Sequence, residues 1–368
     1  MKILLLTTHL DMGGIPVYVV NLAIGLKKRG HEPIVVSEGG RLEKRLTKEG
    51  IRFVNLPFRT SSELNPKLWF RVLPALFSIV RKEKPDLIHA HTRVAQVMAL
   101  ALSSATQIPY VTTCHGLYRF RVGRRFFPCW GKRVIAISEA TMDLLVEQYK
   151  LVPPHQAVLI WNGVEVELFL KKPPPQERDS FRQVNGLTGS PVIGAVARLS
   201  PVKGFHVLFQ AVPDLLKEFP NLQVLLVGDG PAKESLIRQA YELKIEEHVV
   251  IVHPMDDVQV PLSLMDVVVT PSLQEGFGLT IVEAMAAGVA VVAADSGGPK
   301  EIIEHEKSGL LVPPSDAGLL GRAVLSLLKN PELRGRIAEA GRLRAIKHFN
   351  MERVVQEVEA VYTLSMKN

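Results

Sequence analysis

Short hydrophobic runs alternate with amphipathic segments along the first half of the chain. The runs are continuous and rich in Val, Ile and Leu, which is typical of strands buried on both faces of a parallel sheet. The segments between them repeat apolar residues at helical spacing. The predicted strands are residues 3–7, 33–37, 51–56, 87–90, 110–113 and 134–137. The predicted helices are residues 16–29, 42–49, 66–82, 94–103 and 139–149.

The same alternation of hydrophobic runs and amphipathic segments resumes after a proline-rich stretch. Residues 171–177 contain three consecutive prolines, which fit neither a helix interior nor a central strand, so we predict a linker there. The strands predicted beyond it are residues 192–197, 224–227, 249–252, 267–270, 289–293 and 309–312, with helices near 204–218 and 232–243. Phe349 and Asn350 separate this second series from a last helical pattern at 351–366.

Alternation of buried strands with helices predicts a doubly wound α/β sheet in each half of the chain. A length of 368 residues also favours two domains over one. We therefore expect two Rossmann-like domains, residues 1–170 and 176–350, facing each other across a cleft. Ligands of such sheets bind outside the carboxyl ends of the strands, so the residues that carry chemistry should directly follow strands.

Composition indicates a globular protein. Hydrophobic residues make up 47% of the chain and charged residues 22%. Cys114 and Cys129 are the only cysteines, which is too few for a disulfide framework and favours the cytoplasm. The first apolar run is too short for a signal peptide. Residues 94–118 lack Asp, Glu, Lys and Arg, but polar residues and Pro109 interrupt them, so no membrane-spanning helix is predicted.

The net charge of +7 conceals an asymmetry along the chain. Residues 1–165 hold 23 Lys and Arg against 12 Asp and Glu, whereas the remainder holds 21 against 25. The basic half favours an anionic partner, for which a membrane surface and a charged glycolipid are candidates. A merely solvated basic surface is the alternative. Nucleic acid is not expected, because no basic stripe with interleaved aromatics and no zinc finger occurs.

Two carboxylates, Glu275 and Glu283, flank a glycine-containing segment that runs from a loop into a predicted helix. A helix start offers free N–H groups and a positive dipole end, so this loop can hold an anion such as a diphosphate. Both carboxylates could accept hydrogen bonds from a polyhydroxylated ligand. The alternative is a capping box, in which Thr280 and Glu283 only satisfy backbone donors at the helix start.

Cations follow the first strand of the second half. Arg198 ends that strand and Lys203 precedes a helix, and a guanidinium beside an ammonium makes a suitable diphosphate clamp. Gly13 and Gly14 follow the first strand of the chain, where they allow close approach of a ligand, although a tight turn without a ligand is the alternative. His115 follows another strand, where it is either structural or a substrate contact.

The sequence indicates less about a metal site and an acceptor site than about the donor site. No Asp-x-Asp triplet occurs, so we expect no metal cofactor, and the positive charge for a leaving diphosphate should come from Arg198 and Lys203. Just beyond His115, residues 117–127 mix four arginines with four aromatic residues, which predicts an acceptor-binding or membrane-facing surface. A cationic loop covering the site is the alternative. The arginines are Arg119, Arg121, Arg124 and Arg125.

Nearly the whole chain resembles the retaining glycosyltransferases of family 4. The resemblance rests on short motifs that occur in the family's usual order. They are Met12-Gly-Gly-Ile, Ile88-His-Ala-His91, Thr113-Cys-His-Gly, Ala136-Ile-Ser-Glu139, Trp161-Asn-Gly-Val, Arg198 with Lys203-Gly, Val227-Gly-Asp-Gly-Pro, Glu275 with Glu283, and Gly297-Gly-Pro-Lys-Glu301.

The resemblance implies a GT-B fold, in which the last helix, about 351–368, crosses back onto the N-terminal domain. It also implies that a sugar is transferred from a nucleotide-diphosphate sugar with retention of configuration at the anomeric carbon. Arg198 and Lys203 would hold the diphosphate, assisted by amides near Gly13 and Gly14. The resemblance also implies that Glu283 binds the ribose, His115 contacts the sugar and His253 contacts the base. The donor sugar would be positioned by a carboxylate and the loop that follows it, which are Glu275, Gly276, Phe277, Gly278 and Leu279.

The expected donor is a UDP-sugar, with a GDP-sugar second, and the expected acceptor is a glycan or a lipid-linked molecule of cell-envelope polysaccharide or glycolipid synthesis. The inner face of the plasma membrane is a candidate location. A nucleotide-sugar epimerase of the same architecture is one rival interpretation, and it would need no acceptor. A sugar-nucleotide-binding homologue without activity is the other, although the site residues are intact.

Overall fold

The computed structural model describes residues 1–11, 13–60, 62–117 and 126–367. The chain divides into two compact units, Met1–Gly163 with Met351–Asn368, and Val164–Asn350. The first unit therefore ends earlier than the expected residue 170. Val164 belongs to the second unit because its N–H donates to the carbonyl of Phe349 at 2.9 Å and it forms a bridge with Asn350.

The N-terminal unit is built on a seven-stranded, all-parallel sheet in the order β3-β2-β1-β4-β5-β6-β7. Successive residues of a strand point to opposite faces, so Ile3 and Leu5 pack in one core while Leu4 and Leu6 pack in the other. Burial on both faces explains the continuous apolar runs. The strands are β1 Lys2–Leu6, β2 Glu32–Ser37, β3 Arg52–Asn55, β4 Leu87–Ala90, β5 Tyr110–Cys114, β6 Arg133–Ala136 and β7 Ala157–Leu159.

Helices cover both faces of this sheet. Two of the predicted helices are each split between an α-helical and a π-helical segment, with π-helical turns at Leu68–Val72 before α3 and Leu144–Gln148 after α5. The α-helices are α1 Gly14–Lys28, α2 Glu43–Lys48, α3 Leu73–Glu83, α4 Arg93–Thr106 and α5 Glu139–Asp143.

The C-terminal unit repeats this architecture with six parallel strands in the order β10-β9-β8-β11-β12-β13. The strands are β8 Val192–Val196, β9 Gln223–Val227, β10 Val249–Val252, β11 Val267–Thr270, β12 Ala290–Ala294 and β13 Leu310–Val312. The helices are α6 Val166–Phe169, α7 Pro175–Val184, α8 Phe205–Glu218, α9 Lys233–Glu242, α10 Gln259–Leu264, α11 Leu279–Ala286, α12 Pro299–Ile302, α13 Ala317–Lys329 and α14 Pro331–His348.

The predicted linker at residues 171–177 is shorter than expected. Pro175 begins α7, because proline has no N–H to lose at the first helical position and its fixed φ suits the helix. The proline run therefore ends the preceding segment and also starts the next helix.

The last helix, α15 Met351–Met366, packs on the N-terminal unit, as the family resemblance implied. Its buried face includes Val354, Val355, Val358 and Tyr362. Val355 lies so close to Gly25 of α1 that a Cβ at Gly25 would collide with it. Across the described ranges, no helix is both long and apolar enough to cross a membrane.

Candidate active site

The strand order of the C-terminal unit reverses between β8 and β11. Loops that leave adjacent strands at such a point open a crevice at the carboxyl edge of the sheet. The loop after β8 carries Arg198 and Lys203, and the loop after β11 carries Glu275. Topology therefore explains why residues 72 positions apart meet.

Lys203 and Glu275 form a direct ion pair. Lys203 Nζ donates to Glu275 Oε2 at 2.5 Å, and the hydroxyl of Ser272 donates to the same oxygen at 3.2 Å. The two charged side chains are only 24% and 14% exposed. Two donors on Oε2 hold the orientation of the carboxylate. Ser272 was not predicted as a site residue.

The two loops that carry this pair are locked together by backbone contacts. Gly204, directly after Lys203, has a φ of +68°, and a Cβ there would collide with the carbonyl oxygen of Pro271. The N–H of Leu273 donates to the carbonyl of Val202 at 2.8 Å. Only glycine combines this left-handed conformation with so close an approach, so Gly204 fixes the distance between Lys203 and the Glu275 loop.

A second glycine loop braces the Arg198 segment. The turn after β9, Gly228 to Gly230, lies against residues 197–199, where a Cβ on either glycine would collide with a carbonyl oxygen. The N–H of Leu199 donates to the carbonyl of Asp229 at 2.9 Å. This turn therefore supports the base of the cationic loop. Arg198 itself is exposed.

The Glu275 loop is held on its other side by the loop after β12. The N–H of Glu275 donates to Ser296 and its carbonyl accepts from Gly298, both at 3.0 Å. Gly298 lies against the backbone of Phe277, with no room for a Cβ. The Phe277 ring is buried and packs edge-on against Phe349 at 5.8 Å between ring centroids.

Helix α11 begins directly beyond this loop, so Glu275 precedes the helix and Glu283 lies in its second turn, as expected. Gly278 is the N-cap, with a φ of 111° and no side-chain cap. The hydroxyl of Thr280 donates to the carbonyl of Val196 at 2.9 Å. The alternative capping box between Thr280 and Glu283 is therefore wrong, because this hydroxyl binds the sheet and not the helix start.

Glu283 is partly buried. Burial raises the pKa of its carboxyl group from 4.5 to about 7, because a charged carboxylate is poorly solvated there. His253, on the loop after β10, is exposed. Within the described ranges, the structure pairs Lys203 with Glu275 and records no hydrogen bond or ion pair joining Arg198, Glu283 or His253 to another predicted site residue.

The N-terminal unit has its own strand-order reversal, between β1 and β4. Gly13 follows β1, His91 follows β4 and His115 follows β5. His91 Nδ1 and His115 Nε2 lie 3.1 Å apart, and Tyr18 of α1 packs edge-on against His115 at 4.8 Å between ring centroids. The predicted residue His115 is thus half-buried and contacts two buried side chains, His91 and Tyr18.

His89 extends this cluster to the last helix. Its Nδ1 lies 2.7 Å from the Tyr362 hydroxyl and its Nε2 lies 2.7 Å from the Thr113 hydroxyl. Its ring packs at a tilt of 40° against His91, with the ring centroids 4.0 Å apart. Sequence reasoning missed His89, His91 and Tyr362 as neighbours of His115. The available signal was the His-Ala-His spacing, which places both histidines on one side of the β4 end.

All three histidines are neutral at physiological pH. Burial lowers the pKa of His115 to about 3 and the pKa values of His89 and His91 well below 6.5. Neutral imidazoles share a single proton across the contact between His91 and His115. In the described part of the chain, no group of three or more His, Cys, Asp and Glu is arranged to hold a metal ion.

Gly13 and Gly14 are exposed at the start of α1, a helix of 15 residues. Among the described residues, a Cβ at Gly13 would meet only the Pro16 ring, at 3.7 Å. The predicted acceptor-side or membrane-side arginines lie outside the described residues. They are Arg119, Arg121, Arg124 and Arg125.

Two family models match most of the chain between them. Residues 12–168 match Glycosyltransferase Family 4, and residues 177–344 match Glycosyl transferases group 1. The N-acetyl-alpha-D-glucosaminyl L-malate synthase of Bacillus anthracis is 26% identical over 97% of this chain and 95% of its own. The phosphatidyl-myo-inositol mannosyltransferase of Mycobacterium leprae is 28% identical over 95% of this chain and 92% of its own.

Solved structures agree with this assignment. Anabaena HepE, in complex with UDP and glucose, superposes with a TM-score of 0.87 at 25% identity, covering 99% of both chains. HepE has also been solved with UDP-glucose. The predicted GT-B fold is thereby confirmed. The protein belongs to the group 1 glycosyltransferases of family 4.

Proposed function

We propose that this glycosyltransferase moves a sugar from a UDP-sugar to a glycan or lipid-linked acceptor, with retention at the anomeric carbon and without a resident metal ion. The observation that carries the proposal is the contact between Lys203 and Glu275 beside the start of α11. The proposal is supported by three groups of this unit: a cation that can bind phosphate, a carboxylate that can accept from sugar hydroxyls, and the free N–H groups at the start of α11.

Each donor contact follows from the chemistry of that crevice. Lys203 has three N–H donors, so it can bind the diphosphate while it keeps Glu275. Arg198, exposed on the same loop, supplies a second cation. The first intrahelical bond of α11 is made by the N–H of Ile281, so the N–H groups of Leu279 and Thr280 can face an anion.

Glu275 and Glu283 bind hydroxyl groups in this proposal. Oε1 of Glu275 accepts from the donor sugar, with Gly276 and Phe277 shaping the loop around it. Glu283 accepts from the ribose, and His253 lies beside the base. In the N-terminal unit, the N–H groups at Gly13 and Gly14 bind an anionic group of the substrates. His115 contacts a sugar hydroxyl.

The proposed reaction is a front-face displacement. The acceptor hydroxyl attacks the anomeric carbon as the bond from that carbon to the phosphate oxygen breaks. The hydroxyl proton passes to the departing phosphate, so no side chain has to act as a nucleophile. Catalysis then rests on positioning and on stabilisation of the phosphate charge by Lys203, Arg198 and the start of α11.

Relatives support the substrate classes. HepE binds UDP and UDP-glucose, which favours uracil as the base. GDP is the second candidate, because a relative from Mycolicibacterium smegmatis, 34% identical over 51% of this chain, is a GDP-mannose-dependent mannosyltransferase. The phosphatidyl-myo-inositol mannosyltransferase similarly favours a lipid-linked acceptor.

Thermal unfolding in the presence of UDP, GDP and ADP tests the donor assignment. A nucleotide that binds only the folded protein raises its stability by about 2.7 kcal/mol at 100 times its Kd. We expect UDP to raise the melting temperature most and Lys203→Met to remove that rise. Lys217→Met, which changes an exposed lysine paired with Asp214 on α8, is the matched control.

If UDP raises the melting temperature of Lys203→Met as much as that of wild type, the assignment of Lys203 to the donor site is contradicted. No stabilisation by any of the three nucleotides would contradict the function. Interconversion of a sugar nucleotide in the absence of any acceptor would favour the epimerase interpretation.

A further inference from the structure

Large apolar side chains lie exposed on the N-terminal unit. We define them as the aromatic patch, which consists of Leu64, Trp69, Phe70, Phe126 and Phe127. Leu64 is 80% exposed, and Phe70 and Phe126 are each 81% exposed. Single exposed apolar residues are common, but a group of large aromatic ones on one surface marks an interaction site.

The patch is one surface, because Arg93 joins its two segments. Its guanidinium donates to the carbonyl of Phe127 at 2.6 Å and to that of Pro128 at 2.8 Å. The same side chain pairs with Glu63 at 3.4 Å. Trp69 Nε1 in turn donates to the carbonyl of Glu63 at 3.2 Å. Arg93 is only 13% exposed, so it lies beneath the surface that it assembles.

The surroundings of the patch are basic. Lys67 and Arg71 flank Phe70 and are both exposed. Residues 64–82 contain four Lys and Arg and no Asp or Glu, and no acidic residue occurs between Asp86 and Glu139. Glu63 is already paired with Arg93. Exposed aromatic side chains with a cationic rim match the boundary between anionic headgroups and acyl chains.

We propose that the aromatic patch attaches this enzyme to an anionic lipid bilayer. Trp69, Phe70 and Phe126 enter the interfacial layer, while Lys67 and Arg71 contact lipid phosphates. The proposal rests on the proposed function only in that a lipid-linked acceptor would then be presented at the same surface. A second copy of the chain fits less well, because a twofold contact through the patch would bring its cations together.

Co-sedimentation of the full chain with vesicles tests this attachment. One vesicle preparation is phosphatidylcholine alone, and the other has equal parts of phosphatidylcholine and phosphatidylglycerol. The test variants are Phe70→Ser with Phe126→Ser, and Lys67→Glu with Arg71→Glu. The matched control is Val184→Ser with Leu343→Ser, which removes two exposed apolar residues, 80% and 60% exposed, from the C-terminal unit.

We expect wild type and the control to bind the anionic vesicles and to bind the neutral ones more weakly. Each test variant should lose roughly tenfold or more in partition to anionic vesicles. Brominated lipid should quench tryptophan fluorescence in wild type but much less in Trp69→Phe. The UDP-induced rise in melting temperature should persist in every variant, because none of them changes the C-terminal crevice.

The proposal would be overturned if both test variants co-sediment with anionic vesicles as wild type does. It would also be overturned if wild type binds anionic and neutral vesicles equally. A dimer in solution that Phe70→Ser with Phe126→Ser dissociates would show that the patch covers a second copy instead. Vesicle binding without any UDP response would contradict the proposed function and leave the attachment intact.

Discussion

The carboxyl group of Glu283 lies in the second turn of α11, where burial raises its pKa to about 7. Below that pH the free protein holds this group protonated. If UDP binds the ionised form through the ribose, binding must remove a proton, so affinity falls by up to about tenfold per pH unit below 7. Above pH 7 the affinity for UDP should no longer change with the protonation of Glu283. Isothermal titration with UDP from pH 5.5 to 8 measures it.

The phosphate groups of UDP also titrate in this range, so the control is Glu283→Gln, which binds without a proton change at residue 283. Its affinity should depend on pH less steeply than that of wild type. The same pH dependence in both proteins would contradict the ribose role of Glu283.

His115 should carry its proton on Nδ1. The Nε2 atom of His91 is buried and has no hydrogen-bond partner among the described residues. A buried N–H without an acceptor is costlier than a buried lone pair. His91 should therefore keep its proton on Nδ1 and donate it to His115 Nε2. Nitrogen NMR of labelled histidines should show both residues neutral from pH 6 to 8. Protonation of His115 on Nε2 would contradict this arrangement.

At the scale of the element, Gly204 sets the separation of the loops after β8 and β11. Gly204→Ala places a methyl group against the Pro271 carbonyl in a left-handed conformation, so we expect a loss of about 1–3 kcal/mol in the free energy of unfolding. The lysine loop should also shift, which weakens UDP binding. Urea denaturation and UDP titration measure the two effects.

The matched control is Gly335→Ala, in the second turn of α14, where a Cβ meets no atom of the described residues within 4 Å. This change should stabilise the protein by about 0.5–1 kcal/mol and leave UDP affinity unaltered. Equal effects of the two substitutions would contradict the role given to Gly204.

Elements buried on both faces of a sheet could be predicted from sequence, because such strands leave continuous apolar runs. The strand β7 Ala157–Leu159 was missed, since its three residues are only partly buried at the edge of the sheet and produce no run. Pro175 was taken as part of a linker, although it begins a helix. Periodicity reports burial, and it says little about edges and helix starts.

Contacts within the site were less predictable than the elements. The residues that follow strands were identified, because the carboxyl edge of a parallel sheet is a general binding location. Ser272 was not identified. The pairing of His89 with Tyr362 was not identified either, because Tyr362 lies 273 positions from His89 and reaches the cluster through the packing of α15. Such long-range hydrogen bonds leave no periodic signal.

In the whole molecule, we expect Glu275 to support sugar transfer. The most direct measurement is a proton NMR time course of UDP-sugars with the intact protein and EDTA, comparing wild type with Glu275→Gln. Wild type should release UDP and transfer the sugar first as the α anomer, or release it to water in that form. Glu275→Gln, folded as judged by its melting temperature, should be slower by roughly 100-fold or more. Wild-type turnover in Glu275→Gln, a β anomer as first product, or no UDP from any sugar nucleotide would contradict the account.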